Sequence, residues 1–283
     1  MKKTGVKFMK KWLVAVLMIT MLIIAGCSND SGGGVSTENS TIQKVLKEKK
    51  LIIGMSPGYF PFDMKDPNGD FVGYDVDTAN ALAAALGEDI KVEFKQFTFD
   101  GLVPALRTGE VDMVFAGMTI RGDRALAVSF SDPYFQTGQA VMVPGTDTAT
   151  KTWQDLDVKG NKIAVGIGTT GALLAKDVFK NAQILDFEEF PSAAAAMAQG
   201  EADGVVYDEP AIAVWKLKNG DSVNQLEELI STENLGIALQ KNDVDTIQWV
   251  NSFLNSYLGS PAELASRTKW FETSDWLDEV VDE

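Results

Sequence analysis

Short apolar runs alternate with helix-spaced apolar positions along residues 41–271. The runs at 51–55 (LIIGM), 111–115 (VDMVF), 162–167 (KIAVGI) and 202–207 (ADGVVY) are too short for core helices and rich in branched residues, so they predict buried strands. Residues 90–94 alternate and predict another. Helical spacing appears at 41–50, where Val45 and Leu46 turn inward, and in the alanine- and leucine-rich stretch that follows 72–77 (VGYDVD) and ends near Gly87. A helix at 102–108 stops at Gly109, which favours a left-handed turn. Further helices are predicted at 122–127, 172–180, 243–258 and 261–271. Strands alternating with helices predict an α/β fold.

Part of the pattern occurs twice. Residues 50–54 (KLIIG) match 162–166 (KIAVG), and 105–114 (ALRTGEVDMV) match 196–205 (AMAQGEADGV). The second match is a helix, a glycine stop and a strand. Two matches in one order predict two α/β lobes of related plan. At this offset Gly117 corresponds to Asp208, so these strand ends face each other if the lobes flank a cleft. Residues 139–144 (QAVMVP) and 236–239 (GIAL) are the expected crossings, and two strand-like crossings make a hinge. Lobe 1 is expected at residues 41–140 and 237–283, lobe 2 at 141–236.

The N-terminus adds a location. Lys2, Lys3, Lys7, Lys10 and Lys11 precede an apolar run at 12–25 that is short for a membrane span and ends at Gly26-Cys27. This lipobox-like ending predicts a lipoprotein signal peptide at 1–26 and a diacylglyceryl group on Cys27. Cys27 is the only cysteine, so no intrachain disulfide can form. Residues 27–40 are Gly- and Ser-rich, a flexible tether of about 20 Å mean reach. An extracytoplasmic protein, lipid-anchored to a membrane, is expected. The formal charge of −15 becomes −20 once the five lysines of residues 1–26 are removed. That acidity argues against nucleic acid and anionic headgroups as partners. The absence of histidine excludes Ser-His-Asp, Cys-His and His-type zinc chemistry. Neither a metal nor a cofactor is expected.

Candidate chemistry gathers past the predicted strands. Arg124 follows the strand at 111–115, where open α/β sheets bind small anions, and its planar fork fits a carboxylate. A cation in a helix's first turn opposes the dipole, which favours a ligand role over a surface one. Thr119 adds a hydroxyl. Thr169 and Thr170 precede the helix at 172–180, where free N–H groups suit a carboxylate oxygen; ordinary capping is compatible with that role. Gly117 allows close backbone approach, and its carbonyl can accept an ammonium proton. Asp208, before Pro210, fits a helix N-cap as well as a ligand partner. Tyr59 and Phe99 are expected walls for a ligand side chain. Phe60, Phe62, Trp153, Trp215, Trp249, Trp270 and Trp276 are expected to pack.

Residues 61–62 (PF), 73–77 (GYDVD), 99–106 (FDGLVPAL), 116–120 (AGMTI), Arg124, 130–134 (FSDPY), 168–171 (GTTG) and Asp208 occur in this order. With them the chain resembles the polar amino-acid family of extracellular solute-binding proteins that serve ABC importers, over roughly Lys49 to Phe271. The resemblance implies a two-lobed, type II periplasmic-binding-protein-like fold with a two-strand hinge, an amino-acid ligand, an ABC permease as partner and no catalysis; a monomer is expected. It implies ligand contacts from Ser56, Tyr59, Phe99, Ala116, Gly117, Thr119, Arg124, Thr169, Thr170 and Asp208, with Asp208 taking the ammonium. Three positions depart from the family. Arg121 replaces a capping residue and is expected to face solvent. Gly166 stands where a lysine or another polar residue is common, which removes one lobe-2 contact. Ser56 stands where relatives for basic amino acids often carry an acid, which points to a neutral polar or small apolar ligand unless Asp63 or another acid folds in. Two other functions stay open: a cyclohexadienyl dehydratase-like enzyme that recruits an acid such as Glu209, and a sensory module acting through a separate partner.

Overall fold

The computed structural model describes residues 40–280; the signal segment, Cys27 and the tether up to residue 39 lie outside them. Helix α1 (Thr41–Glu48) starts on Ser40, whose side chain accepts from the Gln43 N–H, and ends on Lys49 in the left-handed region. Strand β1 (Lys50–Met55) leads to an aromatic loop and a short ribbon, β2 (Met64–Lys65) with β3 (Phe71–Val72). Then come α2 (Tyr74–Leu86), β4 (Lys91–Gln96), α3 (Leu102–Thr108), β5 (Met113–Val114), α4 (Arg124–Ala127) and β6 (Ser129–Phe130). Strand β7 (Phe135–Thr137) runs into β8 (Gln139–Pro144). The next stretch repeats the first plan with β9 (Lys162–Gly166), α5 (Thr170–Val178), β10 (Gln183–Phe187), α6 (Phe190–Ala198), β11 (Gly204–Asp208), α7 (Glu209–Asn219) and β12 (Val223–Gln225). Strands β13 (Glu233–Leu235) and β14 (Ala238–Leu239) and helices α8 (Val244–Tyr257) and α9 (Pro261–Arg267) follow. Among the described residues no helix is long and apolar enough to cross a membrane.

These elements form two five-stranded sheets, ordered β4-β1-β5-β14-β6 and β10-β9-β11-β8-β12. The first three strands of each are parallel and the fourth is antiparallel to the third. The sequence repeat is therefore a topological repeat, with β1, β4 and β5 corresponding to β9, β10 and β11. The fourth strands are exchanged. β8 follows the first βα set but lies in the second sheet, and β14 follows the second set but lies in the first.

This placement differs from the sequence expectation, which put residues 139–144 and 236–239 between lobes. Gln139–Pro144 pairs along its length with β11 and β12, and Ala238–Leu239 pairs with β5 and β6. The segments that run between the sheets are β7 and β13, antiparallel to each other through Phe135↔Leu235, Gln136↔Asn234 and Thr137↔Glu233. Apolar alternation cannot separate these neighbours, because a buried strand and a buried crossing look alike. Gly138 joins β7 to β8 where a Cβ would lie 2.1 Å from the Ser231 carbonyl oxygen, so only glycine fits.

Both faces of each sheet are covered. On β8 and β9, Val141, Val143, Ile163 and Val165 face one core with α5, and Ala140, Met142 and Ala164 face another. On the first sheet Leu51, Ile53 and Met55 face the large core, while Val114 packs with Leu102 and Leu106 of α3. Strands buried on both sides read as continuous apolar runs, which is why they were visible in the sequence. Helices α8 and α9 pack on α1 and α2. Asp243 Oδ2 accepts from Thr41 N at 2.7 Å and Thr246 Oγ1 from Ile42 N at 3.1 Å, tying the start of the fold to its end. Phe60, Phe62, Trp215, Trp270 and Trp276 are buried, and Trp153 and Trp249 pack against Phe179 and Phe253.

Candidate functional site

The carboxyl ends of β5 and β11 meet at one cavity. From the first sheet it is lined by Tyr59, Phe99, Ala116, Gly117 and Thr119, and from the second by Thr169, Thr170, Tyr207 and Asp208. Gly117 and Asp208, the positions related by the repeat, thus share a wall. The cavity measures about 10 Å³, the size of one water. Gly117 has φ +53°, and a Cβ there would lie 1.8 Å from Tyr59 Cε1. A side chain is excluded both by backbone conformation and by the Tyr59 ring. The turn is held from below by Asp75, whose carboxylate accepts from Gly117 N at 2.9 Å and from the Tyr134 hydroxyl at 2.8 Å. Burial raises the Asp75 carboxyl to about 7, and those two donors oppose the rise.

Arg124 packs on the cavity residues Thr119 and Phe99 and reaches across to the second sheet's side. Its guanidinium donates to the Thr119 carbonyl at 2.9 Å and to the Gly168 carbonyl at 3.0 Å, and lies 5.2 Å from the Phe99 ring centre. Burial lowers its pKa to about 10, with Arg121 adding to the fall. Arg121 itself pairs with Asp123 at 3.0 Å. Helix α4 begins at Arg124, two residues later than the spacing predicted. Thr169 does cap α5, accepting from Ala172 N at 3.1 Å, so the expected cap and the cavity wall are one residue.

Asp208 is 9 % exposed. Its carboxyl is raised to about 7, first by burial and then by the charge of Glu233; the Tyr59 hydroxyl, Gln139 and Arg124 oppose this. Gln139 donates to Asp208 Oδ1 and, at 3.2 Å, to Thr170 Oγ1. Asp208 precedes α7 but its side chain caps nothing there, so the N-cap role does not operate. The Tyr59 hydroxyl lies near the same carboxylate without a hydrogen bond of good geometry.

Ser56, like Arg124, is not among the residues lining the cavity. It is buried, and its N–H is held by Asp63 Oδ2 at 2.6 Å. Asp63 is wholly buried too, and burial pushes its carboxyl well up. Gly166 packs against Thr169 and Tyr207. Four residues near the cavity were not read from the sequence. Tyr207 looked like another strand residue, and Gln139 like part of a crossing. Asp75 lies in a helix start far along the chain. Glu233 carries no motif, yet its Oε2 accepts from Thr119 Oγ1 at 2.8 Å and its Oε1 from Ser231 Oγ at 2.8 Å.

Residues 51–273 match the family of bacterial extracellular solute-binding proteins, family 3. The chain is 34% identical to a probable histidine-binding protein of Neisseria gonorrhoeae, over 87% of this chain and 90% of that one. It is 34% identical to a glutamine-binding protein of Geobacillus stearothermophilus, over 86% and 95%. Among solved structures it resembles the ancestral amino acid-binding protein AncCDT-1, a precursor of cyclohexadienyl dehydratase, with TM-score 0.76 and 38% identity over 82% of this chain and all of that one. It also resembles a putative ABC-transporter binding component of Wolinella succinogenes complexed with lysine, with TM-score 0.77 and 32% identity over 81% and 99%. With two sheets of repeated plan meeting at one polar cavity, the chain belongs to the bacterial extracellular solute-binding proteins, family 3.

Proposed function

We propose that this protein captures an amino acid between its two sheets, closes on it and presents it to the permease of an ABC importer, without catalysing a reaction. One observation carries the reading: Asp208, a buried carboxyl, lines the cavity from the second sheet, and the half-buried Arg124 guanidinium packs on its lining residues Thr119 and Phe99 from the first. An α-amino acid has one group of each opposite charge, and each must find a partner when it leaves water. Arg124 takes the carboxylate, helped by the N–H groups at the start of α5 beside Thr169 and Thr170. Asp208 takes the ammonium, with the Gly117 carbonyl as a second acceptor.

A cavity of about 10 Å³ does not admit an amino acid. Entry therefore requires the lobes, residues 41–140 with 237–283 and residues 141–236, to part about β7 and β13. Arg124 releases the Gly168 carbonyl as they part. The ligand carboxylate replaces that carbonyl, so closure is favoured by contacts that exist only when both lobes touch the ligand. Lipid on Cys27 and the tether at 27–40 keep the protein beside the permease, outside the cytoplasm. Relatives that are histidine- and glutamine-binding proteins support an amino-acid ligand.

The test is calorimetric titration of the full chain with the twenty common amino acids, repeated on Arg124→Ala. We expect at least one to bind, and the variant to lose more than about 100-fold in affinity, as for breaking a buried charge pair. Unchanged affinity in a folded Arg124→Ala protein would overturn the carboxylate assignment.

A further inference from the structure

The proposed site has one charge too many for a zwitterion. Arg124 answers the ligand carboxylate and Asp208 its ammonium, but Glu233 faces the same residues. It bonds Thr119, a cavity wall, at 2.8 Å, and its charge acts on both Asp208 and Arg124. With Asp208 ionised to meet the ligand ammonium, fixed charge at the site is −1, and a neutral zwitterion leaves it unbalanced.

The hydroxyl protons run the same way. A carboxylate only accepts, so Thr119 donates to Glu233. The 3.2 Å contact between Thr119 and Thr170 must then be donated by Thr170, which itself accepts from Gln139. Thr119 and Thr170 accordingly turn lone pairs, not protons, toward a ligand. The Tyr59 oxygen, on a residue only 4 % exposed, adds a buried polar atom without a partner on the cavity wall. Together with Asp208 and the Gly117 carbonyl, the two threonine oxygens exceed what one ammonium group can use.

There is also a route. Thr119 and Thr170 separate the small cavity from a cleft of about 780 Å³ that Glu233 lines. Its apolar wall of Ile120, Leu173 and Leu174 suits an alkyl stem, and its arginine, Arg121, is already paired with Asp123. We infer that Glu233 is a specificity-determining residue: a ligand held by Arg124 and Asp208 directs a cationic side chain between Thr119 and Thr170 to the Glu233 carboxylate. The inference rests on the amino-acid reading above. It replaces the neutral ligand suggested by Ser56, because an acid from the crossing strand β13 does what an acid at position 56 would do.

The test compares L-arginine with L-citrulline, its uncharged near-isostere, by calorimetry on the full chain and on Glu233→Gln, with thermal unfolding as a check that the variant folds. We expect arginine to bind the parent at least tenfold tighter than citrulline, and the preference to shrink at least fivefold in the variant. Equal binding of the two by the parent overturns the inference and leaves the proposed function standing. So does a preference for citrulline, or a selectivity unchanged in folded Glu233→Gln. Failure of every amino acid to bind overturns the proposed function and this inference with it. The arginine-to-citrulline ratio of the parent decides the matter even if the variant does not fold.

Discussion

Asp208 makes the fold less stable as pH rises, and Asp208→Asn should remove that dependence. The carboxyl ionises near its ordinary value of 3.8 when unfolded and at about 7 when folded. Between those values the native state holds a proton that the unfolded state has released, so stability falls with rising pH and levels off above about 7. The gap is worth about 4 kcal/mol at full strength, an upper figure for a group that water can still reach. Asparagine keeps an oxygen to accept from Gln139 but has no charge to bury. Urea denaturation followed by tryptophan fluorescence at about pH 5 and pH 8 would measure the effect. Asp75 also rises to about 7 and contributes to the parent's decline, so the informative quantity is the difference between the two proteins. The parent should lose about 1–3 kcal/mol more than Asp208→Asn over this interval. Parallel pH profiles would refute the reasoning, since they would mean that Asp208 is not held in a costly buried state.

Two further substitutions probe the turn beneath the cavity. Gly117→Ala puts a Cβ 1.8 Å from the Tyr59 ring at φ +53°, and should cost about 2–4 kcal/mol in thermal unfolding and abolish amino-acid binding in calorimetry. A variant that binds like the parent would contradict that packing. Asp75→Ala strips the buried Gly117 N–H and Tyr134 hydroxyl of their acceptor, at about 1–3 kcal/mol each. Asp75→Asn keeps one acceptor and drops the buried charge, so urea denaturation at about pH 8 should find it more stable than the alanine variant.

What was legible in the sequence follows from what local pattern can encode. Strands buried on both faces left apolar runs, and Gly109 marked its helix end. The repeat placed Gly117 opposite Asp208, and the two do share a cavity. What the pattern missed depends on contacts across the chain. Gln139 reaches Asp208 from 69 residues away, and Glu233 reaches Thr119 from 114. Nothing in the composition near either residue announces its partner. The crossings were displaced because β7–β8 and β13–β14 each run nearly unbroken, and hydropathy does not record where a strand changes sheets. Ser56 was expected from the family resemblance alone, and no local pattern announced that its N–H would be held by Asp63.

The exchanged fourth strands also govern the order in which the chain can become a folded protein. Val114 in β5 pairs with Ala238 in β14, so the first sheet stays open along that edge until most of the chain exists. α1 likewise waits for Asp243 and Thr246. Pairings so distant in sequence carry a large loop-closure cost and slow folding. A chain leaving a ribosome or threading through a pore from its N-terminus therefore remains unable to complete its first sheet until about residue 239 has emerged. The same connectivity that runs the chain twice between the sheets keeps the growing polypeptide pliable.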